Sequence, residues 1–167
     1  MTVIQGDALV TDNIRVSSSK IRQMLLAGDV SLAVRCLGRP YELSGVVVDG
    51  QHVGTGLGFP TANLQLDDPD KLIPSPGVYA VKVRVNQSME WKHGMMNIGN
   101  RPTFNGHHQT LETHIFCFDD SIYGQSMTVS FISRLRSEMR FDSRESLALQ
   151  LAVDARQAEE ILKQTEI

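Results

Sequence analysis

The chain is short of cysteine, of zinc-ligand spacings and of positive charge, and each shortage removes a class of function. Cys36 and Cys117 are the two cysteines among 167 residues, far apart and each inside an apolar stretch. One disulfide could join them, but two unpaired core thiols in a reducing compartment is the expectation. The five histidines and two cysteines fall in no zinc-ligand spacing, which argues against a structural zinc site. The net charge is -3, and the densest basic group, Arg134, Arg136, Arg140 and Arg144, is interleaved with Glu138, Asp142 and Glu145. Nucleic-acid binding needs a basic surplus or stripe that this composition does not supply. No apolar run approaches a membrane span, and the N-terminus lacks the charged-then-apolar order of a signal peptide. A cytoplasmic location is the expectation.

What is present is a normal globular balance, 41% hydrophobic and 21% charged, enough to fill the core of one ordinary domain with a short appendage. SSSKIRQMLLAGD reads as a serine N-cap at Ser17, a short amphipathic helix and a stop at Gly28. Asp29 caps a second short helix, VSLAVRCLG, which Gly38 ends before Arg39-Pro40. From Tyr41 the period changes to short β-branched and aromatic runs: YELSGVVVDG, GVYAVKVRV, WKHGMMNIG, TLETHIFCF and QSMTVSFISRL. Turn residues separate them, such as Asp49-Gly50, Pro76-Gly77, Asn86-Gln87, Asn105-Gly106 and Tyr123-Gly124. Frequent turns with no helices between strands predict an antiparallel sheet closed as a small barrel or sandwich. Ser143 then caps a long helix whose stripe of Leu147, Leu151, Ala155, Ala158, Ile161 and Leu162 predicts a packing element lying on the barrel.

Three stretches invite a chemical reading. GQHVGTGLGFPTANLQL places glycines at 50, 54, 56 and 58, a backbone able to turn freely and offer bare N–H groups to phosphate oxygens. It has neither the P-loop ending nor the dinucleotide fingerprint, so a plain surface flap weighs equally. Behind it, Pro60 stiffens a segment that presents Thr61 and Asn63, two hard neutral oxygen donors that extended backbone projects to one face. Magnesium takes such ligands, one or two from protein and the rest from phosphates and water; on spacing alone, ordinary turn hydrogen bonds after Pro60 are the stronger explanation of the pair. In TLETHIFCF, Glu112 and His114 share one strand face. A carboxylate on the inner rim of a barrel needs a partner or a task, such as general-base action on a hydroxyl; spacing alone allows Glu112 to be a plain surface strand residue as well. For His114 a hydrogen-bonded structural imidazole is preferred. LRSEMRFDS joins the last strand to the tail helix, either as a salt-bridged junction or as a lip where a planar ligand meets Phe141.

GFPTAN, PGVYAVKV, NIGNRPTF, ETHIF, YGQSMTVSFI and LRSEMRFDSRESLALQLAVDARQA follow one another in an order that resembles the riboflavin kinase domain of bacterial bifunctional riboflavin kinase/FAD synthetase, from about Leu37 to the C-terminus. The resemblance implies a mainly β fold, a six-stranded antiparallel Greek-key barrel with short N-terminal helices and a long C-terminal helix. It implies transfer of the ATP γ-phosphoryl group to the ribityl 5′-hydroxyl of riboflavin, giving FMN and ADP. By motif it puts Thr61 and Asn63 at Mg²⁺ and the phosphates, behind Pro60, and makes Glu112 the acceptor of the hydroxyl proton. The loop Gly54, Gly56, Gly58 would cover the phosphates. Ile115, Cys117 and Tyr123 would line the adenine pocket, and Arg136, Met139 and Phe141 would close over the flavin.

Two departures from the family pattern stand out. Its flap commonly carries arginines on both sides of the glycine at 54, where this chain has Val53 and Thr55; phosphate neutralisation then leans on Mg²⁺ and backbone N–H groups. Cys117 stands where the family often has Asp. At the front, VSSSKIRQMLLAGDV resembles the closing segment of the family's FMN adenylyltransferase module, without that module's His-x-Gly-His motif. The resulting division is residues 1–22 as a remnant of that module, 23–40 as a helical lead-in and 41–167 as the kinase domain, with the adenylyltransferase module expected in a longer parent. A flavin-binding module with little turnover, and FMN adenylylation residing in the absent module, are the alternatives.

Overall fold

The computed structural model describes residues 10–11, 13–50, 54–103 and 106–165; Val53 and Asn105, both singled out above, lie outside them. Strands β1 (Val10–Thr11) and β2 (Ile14–Arg15) form a two-stranded ladder ahead of two helices. Helix α1 spans Ser18–Ala27, where the Ser17 hydroxyl accepts from the backbone N–H of Lys20 and Gly28 ends the helix. Helix α2 spans Val30–Leu37, with Asp29 accepting from Leu32 N–H and Gly38 as the stop. These are the caps the sequence announces, because Ser and Asp side chains satisfy the orphan donors of a first turn.

Six strands follow: β3 (Tyr41–Val48), β4 (Ala62–Leu66), β5 (Gly77–Val85), β6 (Lys92–Thr103), β7 (Gly106–Ile115) and β8 (Ser126–Arg136). They close into an antiparallel barrel in the order β3-β4-β7-β6-β5-β8. β5, β6 and β7 are consecutive neighbours, and β8 returns beside β5, which is the Greek-key arrangement. Alternation fills the interior. Leu43 and Val47, Tyr79, Val81 and Val83, Met96 and Ile98, and Met127, Val129 and Phe131 are buried in one cluster, each large side chain contributing about 1.5–3 kcal/mol. Tyr79 and Phe131 meet edge to face with centroids 5.3 Å apart. Met24, Leu25, Val30, Ala33 and Cys36 of α1 and α2 join the same cluster. Arg134 ties the end of α1 to the barrel, donating to the carbonyls of Pro76 at 2.6 Å and Ala27 at 3.4 Å.

Helix α3 (Arg144–Gln164), capped by Ser143, covers the outer wall of the barrel. There Ala158 and Leu162 pack on Ala80 and Met95, the outward residues of β5 and β6. β5 is therefore buried on both faces.

The run TLETHIFCF is interrupted before its end. β7 stops at Ile115, and Cys117 is an exposed turn residue with φ +52, so the expectation of two core thiols holds for Cys36 alone. The chain has to reverse there to start the connection to β8, and a turn at the surface displaces the thiol from the core.

Candidate functional site

Along β7 the side chains alternate. Leu111, Thr113 and Ile115 are buried towards the barrel interior, which sends Glu112 and His114 to the outer face. Glu112 thus stands on the outer wall, the surface-strand position that spacing left open, and not on an inner rim. In the ladders Glu112 sits directly opposite Asn63 of β4 on one side and Asn97 of β6 on the other. Paired positions share a face, so a carboxylate and two amides form a row across three strands. His114 Nδ1 donates to the Pro60 carbonyl at 2.8 Å, and its ring meets the edges of Phe59 and Phe116 at 5.3 and 5.6 Å. His114 is the structural imidazole expected of it, and it clamps the Phe59-Pro60-Thr61 segment onto β7.

Between this wall and α3 lies a cavity of about 230 Å³. Val78, Met95 and Asn97 face it from the barrel, and Leu147 and Leu151 from α3. Helix α3 is thus a packing element, as expected, and also the far wall of a cavity. Glu112 and His114 of β7 line it with Gly54, Phe59 and Thr61, and so do Arg136, Glu138, Met139 and Phe141 from the end of β8 and the junction to α3. Asp154 fixes the second group. It is fully buried and accepts from Arg136 Nε at 2.9 and 3.0 Å, from Arg136 Nη2 at 2.7 Å and from Gln150 at 2.9 Å. Arg136 also donates to the Ser137 carbonyl at 3.0 Å and lies 5.8 Å from the Phe141 ring centroid. The lip is anchored through one guanidinium.

The glycine loop is a compact turn. Residues Thr55–Leu57 form a single 3₁₀ turn, and the Gly54 carbonyl accepts from Leu57 at 3.0 Å and Phe59 at 2.9 Å. A Cβ at Gly54 would stand 2.1 Å from the Phe59 carbonyl oxygen, and Gly58 has φ +82, so both positions exclude ordinary side chains. Gly54 reaches the cavity, while Gly56 and Gly58 do not.

A smaller cavity of about 100 Å³ opens between the barrel interior and the loop before β8. Val47, Ala62, Thr113 and Ile115 line it from the strands, and Ile122 and the half-exposed Tyr123 from the loop. Pro60 and Thr61 border it as well, and Phe118, Asp120 and Ser121 of the loop complete it. Thr61 therefore lines both cavities and forms the wall between them. Cys117 lines neither. Asn63 faces a third, open groove, its amide packed against Gly50, where a Cβ would be 1.8 Å from Nδ2.

Among the described residues no three His, Cys, Asp or Glu side chains gather as a metal cluster. The hydroxyl of Thr61, the amide oxygen of Asn63 and the carboxylate opposite it are nonetheless hard oxygen donors, a set suited to a cation that takes most of its ligands from phosphates and water.

Comparison with known proteins places this architecture. The Flavokinase family, described as riboflavin kinase, matches residues 37–162. The chain belongs to the riboflavin kinase family. It is 44% identical over 144 residues to a bifunctional riboflavin kinase/FMN adenylyltransferase of Haemophilus influenzae, covering 86% of this chain and 46% of that protein. The Escherichia coli protein of the same name is 39% identical over 147 residues, covering 88% and 46%. The chain thus spans about half the length of these curated relatives. A solved structure named macrolide-efflux protein, from Streptococcus pneumoniae, superposes with a TM-score of 0.82 at 36% identity over 88% of this chain and 47% of its own. In the chain itself, no described helix is long and apolar enough to cross a membrane.

The sequence missed several residues of this candidate site. Asn97 becomes a neighbour of Glu112 only through strand register. Phe59, Met95, Leu147 and Leu151 carry no mark that separates cavity wall from core. Asp154 did carry a signal: an acid amid the apolar stripe of α3 requires a buried partner.

Proposed function

We propose that this chain phosphorylates riboflavin, moving the γ-phosphoryl group of ATP to the ribityl 5′-hydroxyl to give FMN and ADP. The observation that carries the reading is the shared wall at Thr61, with a larger, apolar cavity holding Glu112 on one side and a smaller cavity on the other. A flat flavin ring suits the space among Met95, Met139, Phe141, Leu147 and Leu151. The adenine base suits the smaller cavity beside Ile115 and Tyr123. The two reacting groups then meet across Thr61.

In the step itself the riboflavin oxygen forms a bond to the γ-phosphorus as the bond from that phosphorus to the β–γ bridging oxygen breaks. The hydroxyl proton passes to the Glu112 carboxylate, and the electron pair leaves with ADP. Such chemistry asks the protein for position and charge neutralisation. Thr61 and Asn63 are the residues that would hold Mg²⁺, which when bound neutralises charge on the phosphates. Gly54 brings backbone close to them, and His114 keeps Pro60 and Thr61 rigid on β7. Arg136, Met139 and Phe141 shut water out at the flavin end.

Mixing the chain with riboflavin and Mg-ATP and separating flavins and nucleotides tests the reading; FMN and ADP in equal amounts are expected. Glu112→Gln should lower turnover roughly 10²–10⁴-fold while riboflavin still binds, and near-normal turnover would remove Glu112 from the mechanism. Riboflavin binding without any ADP would establish the binding-module alternative. Residues 1–22, 23–40 and 41–167 are read as the end of an adenylyltransferase module, a lead-in and the kinase domain, in a cytoplasmic protein. FAD formation would belong to that preceding module.

A further inference from the structure

The smaller cavity contains a polar group that the mechanism above leaves without a task. Thr113 is fully buried, and its hydroxyl has no hydrogen-bond partner among the described residues. It lies on the inward face of β7, across the ladders from Ala62 and Met96, and its buried cavity neighbours Ile115, Val47 and Ile122 are apolar, while the polar Thr61, Asp120 and Ser121 line more exposed parts of the cavity. A buried hydroxyl without a partner costs stability unless something satisfies it. Valine would fill the same volume without that cost. The cavity is small, and Thr113 is the most buried of the polar residues in its lining, against a half-exposed Tyr123.

We propose that Thr113 is a base-recognition residue, its hydroxyl making one hydrogen bond to the polar edge of the adenine that enters this cavity. The inference rests on the assignment of the smaller cavity to the nucleotide base. Riboflavin occupies the other side of Thr61 and does not reach Thr113. The hydroxyl touches no reacting atom, so its contribution appears in nucleotide affinity and not in the phosphoryl-transfer step.

The test is Thr113→Val, read by calorimetric ATP binding and by thermal unfolding with and without ATP. Expected are an unfolding temperature of the free chain equal to or above the parent's, ATP affinity reduced roughly three- to tenfold, the scale of one neutral hydrogen bond, and unchanged riboflavin affinity and kcat. ATP analogues lacking in turn the exocyclic amine and each outward ring nitrogen complete a double-mutant cycle. The analogue without the bonded group should bind parent and variant equally. Undiminished ATP affinity in the variant, a free chain destabilised by losing the hydroxyl, or an equal loss across ATP and every analogue would each overturn the proposal. Ala62→Leu, which fills the same cavity, separates the two levels of inference. If it abolishes ATP binding while Thr113→Val does nothing, the cavity holds the base and Thr113 does not read it; if it leaves ATP binding intact, the base lies elsewhere.

Discussion

Asp154 offers the sharpest test of how the larger cavity is held in shape. Its carboxylate is wholly buried and its partner Arg136 is 16% exposed, with three donor contacts between them at 2.7–3.0 Å. Asp154→Ala leaves the guanidinium buried without a counter-charge, and breaking a pair of this kind costs about 3–5 kcal/mol. For a chain of this size that corresponds to a fall in Tm of roughly 6–20 °C. Circular-dichroism melting and urea unfolding give the loss directly. The double variant Arg136→Met with Asp154→Leu removes both charges and should regain most of the stability, because the penalty lies in the uncompensated ion. Riboflavin affinity separates the two effects further. The single variant unties Ser137 and Phe141 from the guanidinium, so the flavin site weakens along with the fold. The double variant restores the fold without restoring the lip. A Tm within about 2 °C of the parent for Asp154→Ala, or a double variant as unstable as the single one, would refute the reasoning.

Arg144 packs over the glycine loop, its Nη2 2.7 Å from where a Cβ of Gly56 would stand. It supplies a cation near the place where arginines flank the loop in the resembling family. Arg144→Gln should raise KM for ATP about 3- to 10-fold and flatten its salt dependence, with Tm unchanged since the residue is exposed; identical salt profiles would sink the idea. Burial pushes the Tyr79 phenol pKa up, against the Ser75 hydrogen bond and the Arg134 charge, which lower it. The folded state then keeps its proton longer than the unfolded state. Stability is full below about pH 10 and declines as pH rises through the folded value. Tyr79→Phe should make the urea midpoint less steep in alkali, leaving the smaller slope of Tyr41, whose pKa burial also raises; an unaltered slope would contradict the assignment.

Local chemistry made much of the fold legible. Ser17, Asp29 and Ser143 cap helices where the sequence put them, and GVYAVKVRV is β5 residue for residue. Each of these is decided within a few residues, by a side chain meeting a nearby N–H or by period-two alternation. The site was legible as a set of motifs and not as a shape. That Thr61, Glu112, Arg136, Met139 and Phe141 surround one cavity depends on barrel closure and on α3 lying across β5 and β6. The face of Glu112 depends on which alternation wins along β7, and the competing inner positions are Leu111, Thr113 and Ile115, one of them polar. Cys117 was misplaced because an apolar run does not reveal where its strand stops.

β7 serves two masters at single-residue spacing. Its odd-numbered residues from 111 to 115 hold the sheet closed and its even-numbered ones face the chamber under α3, so neither set can drift without the other's register holding still. An insertion of one residue here would exchange insulation for reactivity along the whole strand, putting hydrocarbon where the carboxylate belongs and charge into the barrel's interior. A stretch so constrained tolerates substitution better than a change of length, which leaves the loops as the place for insertions.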